Sequence, residues 1–210
     1  MKVLIELPTW LGDCVMATPA IENIVNFDND VQITFIGSFV AIEAMKNHLK
    51  VVKTVVLDKK YGVLYKTARN LGEFDYFFSF RSSLRTKFLK FLISAKNKYQ
   101  FDKNKYQHRH QVEKYNDFIN DSLNINFPPG KLLLSTISSQ SSTQKTVGIN
   151  PGASYGSAKR WYPEEFAKVA SELSDRYDIV IFGGPGEVDI ALDIEKLLIK
   201  KDVKNYKNLA

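Results

Sequence analysis

The segment Asn150-Pro151-Gly152-Ala153-Ser154-Tyr155-Gly156-Ser157-Ala158-Lys159-Arg160-Trp161-Tyr162-Pro163 constrains this chain more than any other. It follows a buried-strand signal, Thr146-Val147-Gly148-Ile149, and leads into a helix signal, Pro163-Glu164-Glu165-Phe166-Ala167-Lys168-Val169-Ala170. Strand, small-residue loop and helix in succession are the repeating unit of an α/β sheet. The same arrangement suits phosphate. Backbone N–H groups at a helix start lack intrahelical partners, and the helix dipole favours an anion there. Lys159 and Arg160 bring positive charge to the same place. The expectation is a phosphate-bearing ligand of the nucleotide class.

The alternation extends back to the N-terminus. Apolar runs at 3–7, 31–36, 51–57 and 74–80 read as strands. Helical patterns follow at 14–25, from Gly37-Ser38 to about residue 48, at 63–70 and, strongly basic, at 83–94. Pro19 is read as lying early in the first helix or marking its first turn. A short strand at 98–101 and a helix at 110–122 complete the series. Strands alternating with helices predict a parallel, doubly wound sheet. Residues 124–130 break the pattern, and the Ser/Thr/Gln-rich stretch 135–143 reads as a linker. A second series follows: strand 146–150, helix 163–173, strand 178–182, the loop Gly183-Gly184-Pro185-Gly186 and helix 187–200. Two or three strands are few for an independent domain, so this second unit reads as cut short, with an unpaired sheet edge.

Charge narrows the partners. Residues 1–144 hold 19 Lys/Arg against 13 Asp/Glu, whereas residues 145–210 hold 10 of each. Within the first part, residues 81–114 carry 10 basic and 2 acidic residues, so the net +6 comes from one segment. Such a segment suits nucleic acid, an anionic membrane face or a phosphorylated substrate, or is simply a lysine-rich solvated surface. The first residues have too short an apolar run for a signal peptide, and no stretch approaches the ~18 apolar residues of a membrane span. Cys14 is the sole cysteine, which excludes an intrachain disulfide and fits a cytoplasmic location.

The first strand runs into Pro8-Thr9-Trp10-Leu11-Gly12-Asp13 and then a helix. Gly12 permits a tight turn or the close approach of a ligand. Asp13 stands where the carboxyl end of the first strand meets the first helix, the edge that faces the ligand crevice in open α/β sheets. A carboxylate there is either a helix N-cap, the commoner role, or a general base toward a hydroxyl. Cys14 reads as a small buried residue, not a nucleophile. Glu187, after the Gly-Gly-Pro-Gly loop, is either an acceptor for ribose or base or a first-turn acid stabilised by the helix dipole. The P-loop spacing is absent, and the first strand-to-helix turn lacks G-x-G-x-x-G, which disfavours a nucleotide-dependent oxidoreductase. His108, Arg109 and His110 lack zinc-site spacing, and no D-x-D pair stands at a strand end. Tyr76, Phe77, Phe78 and Phe80 read as core, since their strand lacks the glycine and basic residues of an RNA-binding sheet. A nucleic-acid-binding module therefore rests on the basic segment alone.

Taken together, the motifs resemble a known family. Pro8-Thr9-Trp10-Leu11-Gly12-Asp13-Cys14-Val15-Met16-Ala17-Thr18-Pro19-Ala20 resembles the N-terminal signature of the lipopolysaccharide heptosyltransferases of glycosyltransferase family 9. The 150–161 segment is similar to their nucleotide-site signature. Phe80-Arg81-Ser82-Ser83-Leu84-Arg85 and His110-Gln111-Val112-Glu113-Lys114-Tyr115 stand where the family has similar segments. The Trp-Leu-Gly-Asp variant is closer to the type II branch than to type I.

The resemblance implies a GT-B architecture of two Rossmann-like domains: an acceptor-side domain with its linker over 1–143 and an incomplete nucleotide-sugar domain over 144–210. It implies inverting, metal-free transfer of heptose from ADP-heptose to a lipid-anchored lipopolysaccharide inner core, with no cofactor and no nucleic acid partner. In that scheme Asp13 is the base. Ser154, Tyr155 and Lys159 lie near the diphosphate, and Glu187 contacts the ribose or adenine. Gly12, Arg81, Arg85 and His110 belong to the acceptor side. Arg81, Arg85, Lys87, Lys90, Arg109 and Lys114 are placed to attract an anionic acceptor or the inner face of the membrane that carries it. The family continues into a further glycine-, aspartate- and histidine-containing motif that these 210 residues do not reach. The chain is therefore read as truncated, and its own activity as doubtful.

Overall fold

The computed structural model describes residues 1–58, 60–135, 145–153 and 156–210. Contacts divide the chain into two compact units, Met1–Ile137 and Ser138–Ala210. The expected linker lies, from residue 136 onward, outside the described residues, as does the expected boundary at 143/144.

The first unit alternates strand and helix throughout. In order these are β1 (Lys2–Glu6), α1 (Leu11–Phe27), β2 (Gln32–Gly37), α2 (Phe39–Met45), β3 (Val51–Val56) and α3 (Tyr61–Asn70). They continue with β4 (Glu73–Ser79), α4 (Leu84–Leu92), β5 (Ser94–Gln100) and α5 (Gln111–Leu123). All five strands pair in parallel, in the order β3-β2-β1-β4-β5. β1 is central because it is apolar on both faces, as a strand covered from both sides must be. Its alternation sends Val3 and Ile5 into a core shared with Ile21 and Ile24 of α1, Ala41 of α2 and Phe118 of α5. Leu4 points the other way, into a core with Leu64 of α3, Phe77 of β4 and Leu89 of α4. Phe78 and Phe80 are buried too, as the core reading of that aromatic strand requires.

Two elements differ from the sequence expectation. α1 starts at Leu11, so Pro19 lies in the helix interior and not in its first turn. Pro19 has no N–H for the Val15 carbonyl four residues back. The Thr18 hydroxyl donates to that carbonyl at 2.7 Å and replaces the missing bond. β5 begins at Ser94, within the stretch expected to be helical, and α4 closes at Leu92. Pairing with β4 from Glu73–Ser94 onward makes it a strand despite its polar sequence.

The second unit holds β6 (Thr146–Ile149), a 3-10 turn at Ser157–Lys159, α6 (Pro163–Leu173), β7 (Asp178–Ile181), α7 (Val188–Lys200) and β8 (Tyr206–Asn208). Its strands pair in parallel in the order β6-β7-β8. Ile149, Ile179 and Ile181 pack against Ala167 and Ala170 of α6 and Ala191, Ile194 and Leu198 of α7.

Candidate active site

The winding of the first sheet reverses between β1 and β4, since β1 leads to β2 on one side and β4 lies on the other. The loops leaving those two strands diverge there and open a crevice, the usual ligand position in such sheets. A cavity of about 480 Å³ occupies this place. The β1–α1 loop contributes Pro8, Thr9 and Trp10, and the first turn of α1 adds Asp13. The β4–α4 loop contributes Arg81, Ser82 and Ser83 from the other side. A larger hollow of about 740 Å³ opens by Met1, Lys2, Glu73 and Lys96, at the amino ends of the strands. Asp75 there is engaged by the Lys2 backbone N–H at 2.9 Å and Lys96 Nζ at 2.7 Å. That hollow lies at the edge of the sheet away from the crevice.

Asp13 is half-buried in the first turn of α1, where the helix dipole favours a carboxylate. It is not the N-cap. Trp10 holds that position, without a side-chain capping bond. Cys14 beside it is buried and donates its thiol to the Pro8 carbonyl at 3.2 Å. Burial, with the Asp13 charge adding, pushes the thiol up to about 12. Cys14 is therefore inert, as the sequence suggested.

A buried carboxylate lies under Arg81. Glu6 ends β1 and shares the face of Leu4, toward α4. It accepts from Ser79 Oγ at 2.6 Å, from Arg81 Nη1 at 3.4 Å and from Thr86 Oγ1 at 3.4 Å. Burial raises its pKa, and the Ser79 hydrogen bond and the Arg81 charge oppose that rise. The Arg81 backbone N–H also donates to Ser79 Oγ at 3.2 Å, so backbone and guanidinium are both fixed.

The other acceptor-side residues are placed differently. Gly12 adjoins the cavity wall in regular helix, and a Cβ there would meet nothing within 4 Å. No tight turn requires the glycine there. Arg85 points away and donates to the Asp58 carbonyl. His110 is the N-cap of α5: its Nδ1 accepts from the Val112 N–H at 3.3 Å, and its backbone N–H donates to Glu113 Oε2 at 3.1 Å. The cavity is lined instead by Gln111 and Tyr115, one helical turn apart on α5, and by Lys103. Tyr115 packs edge-on to Phe80 at 5.1 Å and Phe101 at 5.0 Å. Burial and then the nearby Asp13 charge raise its phenol pKa, so it stays a neutral phenol. The i, i+4 spacing of Gln111 and Tyr115 was the available signal for this pair.

In the second unit the two glycine-bearing loops converge. A Cβ at Gly152 would fall 1.9 Å from Glu187 Oε1, so the Glu187 carboxylate lies directly on the Gly152 backbone. The Gly184 N–H donates to Glu187 Oε2 at 2.8 Å and holds the carboxylate there. Gly156 adopts φ 104°, a left-handed conformation suited to glycine, and leads into the turn that carries Lys159. Arg160 Nη2 donates to the Ala153 carbonyl at 3.3 Å and closes the loop. Ser154 and Tyr155 lie outside the described residues. The start of α6 is less suited to an anion than the sequence alone suggests. Pro163 removes one N–H, and Glu164 and Glu165 already occupy the first turn. Positive charge in this region comes from Lys159 and Arg160. Among the described residues no group of three or more His, Cys, Asp or Glu side chains is placed to hold a metal ion.

The chain is 40% identical, over all of its length and 68% of the relative's, to lipooligosaccharide heptosyltransferase 2 of Campylobacter jejuni serotype O:2. Its fold is similar to that of ADP-heptose LPS heptosyltransferase II of E. coli, with a TM-score of 0.80 at 18% identity over 100% of this chain and 72% of that one. It is also similar to E. coli heptosyltransferase WaaC, solved with ADP-2-deoxy-2-fluoro heptose, at a TM-score of 0.79 and 15% identity over 100% of this chain and 76% of that one. These are GT-B folds, whose parallel sheets and flanking helices this chain shares. Residues 78–207, more than half of its length, match one family, and the chain belongs to it: glycosyltransferase family 9, the heptosyltransferases.

Proposed function

We propose that the chain transfers heptose from ADP-heptose to the inner core of a lipopolysaccharide or lipooligosaccharide, inverting the anomeric carbon without a metal ion. The observation that carries this reading is Asp13 at the switch-point crevice, facing Arg81, Lys103 and Tyr115 across one cavity. The acceptor hydroxyl sits beside Asp13. Its oxygen attacks the anomeric carbon as the bond from that carbon to the diphosphate oxygen breaks, and the electron pair leaves with ADP. Asp13 takes the hydroxyl proton. A sugar hydroxyl is too weak an acid to ionise first, so proton transfer accompanies attack. Arg81 and Lys103 attract the anionic groups of the inner core, and Tyr115 donates a hydrogen bond.

ADP leaves with added negative charge on its terminal phosphate. Lys159 and the N–H groups of the 150–160 loop stabilise that charge, which is what a metal-free departure needs. Glu187 is held to receive hydroxyls of the ribose or the adenine amine. We place the reaction at the cytoplasmic face of the membrane that carries the acceptor, with peripheral contact to its anionic surface and no nucleic acid partner.

The test is Asp13→Asn. Turnover falls by about 10²–10⁴, while ADP affinity measured by calorimetry stays unchanged. Transfer at near wild-type rate would remove Asp13 from the role of base.

A further inference from the structure

We propose that the outer face of α3 and α4 docks on an anionic phospholipid bilayer and inserts Leu84 and Phe91 into it. The inference rests on the first unit taking a lipid-linked acceptor, and it assigns the surface that brings that unit to its membrane. α4 is apolar on two faces. Thr86, Leu89 and Ile93 point into the core. Leu84, Phe88 and Phe91, spaced i, i+4, i+7, point outward and are 79%, 38% and 81% exposed. Phe88 is the least exposed because its ring meets Tyr61 of α3 edge-on at 5.6 Å. Tyr61 and Tyr65, one turn apart, continue the apolar surface onto α3 at 56% and 44% exposure.

The two helices carry charge of one sign, with Asp58 before α3 beside Arg85. α3 and α4 contain no Asp or Glu and together hold Lys66, Arg69, Arg85, Lys87 and Lys90. Arg69 lies over the Tyr65 ring at 5.6 Å. Other cations of the 81–114 segment are neutralised within the fold: Lys96 by Asp75, Lys105 by Asp121, and Arg109 by Glu113 and Asp117. Of the basic 81–114 segment, Arg85, Lys87 and Lys90 stand on α4, while Lys98 belongs to β5, Lys103 lines the crevice and Lys114 belongs to α5. Aromatic and leucine side chains interleaved with lysine are the composition of an interfacial helix. Tyrosines suit the headgroup level, and each lysine near an anionic leaflet adds attraction. A second copy of the chain fits poorly, since apposing two such faces sets cations against cations. Nucleic acid would engage the cations and leave Leu84 and Phe91 in water. Leu84 directly follows Ser82 and Ser83, which line the crevice, so a docked bilayer lies beside the acceptor entrance.

The experiment is flotation of the full chain with vesicles, without donor or acceptor. Failure here therefore leaves the transferase reading intact, and failure of transfer leaves the docking face intact. Phosphatidylcholine vesicles doped with phosphatidylglycerol should carry the chain upward, and pure phosphatidylcholine vesicles should not. Lys87→Gln with Lys90→Gln should lower partitioning about 30-fold. Leu84→Ser with Phe91→Ser should lower it about tenfold or more and leave only salt-sensitive binding, with circular dichroism unchanged. Absence of flotation with the anionic vesicles would overturn the proposal, as would flotation indifferent to Leu84→Ser with Phe91→Ser. A vesicle-free dimer that the same pair of substitutions dissolves would assign the face to a second copy instead.

Discussion

Glu6 Oε1 and Arg81 Nη1 meet 3.4 Å apart under the crevice, with the carboxylate side chain 1% exposed and the guanidinium side chain 22%. Glu6 is thereby a positioning residue: it does not line the crevice cavity, and it fixes a cation that does. Its pKa is raised by burial above the usual 4.5. The proton favours the folded state, so the stability this group contributes is full below about 4.5 and is lost as pH rises through the folded value. Glu6→Gln should remove that loss, so that thermal unfolding no longer drifts downward across this window. The same variant frees Arg81, and acceptor KM should rise about fivefold, the effect of about 1 kcal/mol, with kcat little changed. An unaltered pH slope of Tm would refute the buried-charge account. An unaltered KM would refute the anchoring of Arg81.

Cys14 reports on the same corner of the fold. Its thiol is bonded to the Pro8 carbonyl and pushed up to about 12, so at neutral pH the thiolate is scarce and covered. A raised thiol pKa keeps the proton on in the folded state, and stability from this group is lost only as pH climbs toward that value. A disulfide reagent at pH 8 should label Cys14 at least ~10²-fold more slowly in the native chain than in denaturant. Rapid native labelling would show that the β1–α1 corner opens readily.

Much of this is legible in the sequence, for physical reasons that differ by position. Apolar runs such as Val3–Leu7 and the aromatic run at 74–80 announce strands because strands covered on both faces carry no polar face. Ser94–Gln100 escapes this logic: as the edge strand of its sheet it is half-covered and polar, and only its pairing with β4 makes it a strand. The start of α1 escapes for another reason. Trp10 caps it without a side-chain bond, so no capping residue marks Leu11, and Pro19 deceives because Thr18 repairs the bond that it breaks. In the site, Asp13 was identifiable as a residue at a strand end, and Arg81 through the family resemblance of its segment. Gln111 and Tyr115 had only their i, i+4 spacing as a signal and Lys103 had none; the packing of Tyr115 on Phe80 and Phe101 brings α5 to the cavity. His110 has the composition of a ligand-binding residue and the geometry of a cap.

The convergence of Gly152 and Glu187 yields a paired prediction. A methyl group at residue 152 would strike the Glu187 carboxylate, which is the mobile end of its side chain. Gly152→Ala should therefore fold, displace the carboxylate and forfeit the Gly184 bond of 2.8 Å. ADP affinity by calorimetry should fall about tenfold, in keeping with a charge-assisted hydrogen bond of roughly 1.5 kcal/mol. Glu187→Gln keeps the shape and removes the charge, and it should weaken ADP comparably. A loss in Gly152→Ala alone would assign the effect to loop shape. Unchanged affinity in both would remove this contact from the donor site.

Lys159 is tested through the leaving group. If it stabilises the departing phosphate, Lys159→Ala should weaken ADP by about 10- to 100-fold, the range for a hydrogen bond to a charged group of ~1.5–3 kcal/mol. Lys159→Arg, which retains charge with a different geometry, should recover part of that affinity. Equal affinity in wild type and Lys159→Ala would exclude the residue from the diphosphate.

Gly12 separates fold from function most cleanly. It occupies regular helix in the first turn of α1, and a Cβ there meets nothing within 4 Å. Alanine is the better helix former, so Gly12→Ala should raise stability by roughly 0.5–1 kcal/mol. A glycine that the fold does not need, one residue before the proposed base, points to a ligand that approaches the backbone there. The substitution should therefore raise Tm and lower transfer together, with acceptor KM more affected than ADP affinity. A variant both more stable and fully active would show that nothing approaches Gly12, and that the acceptor enters the crevice from the Arg81 side alone.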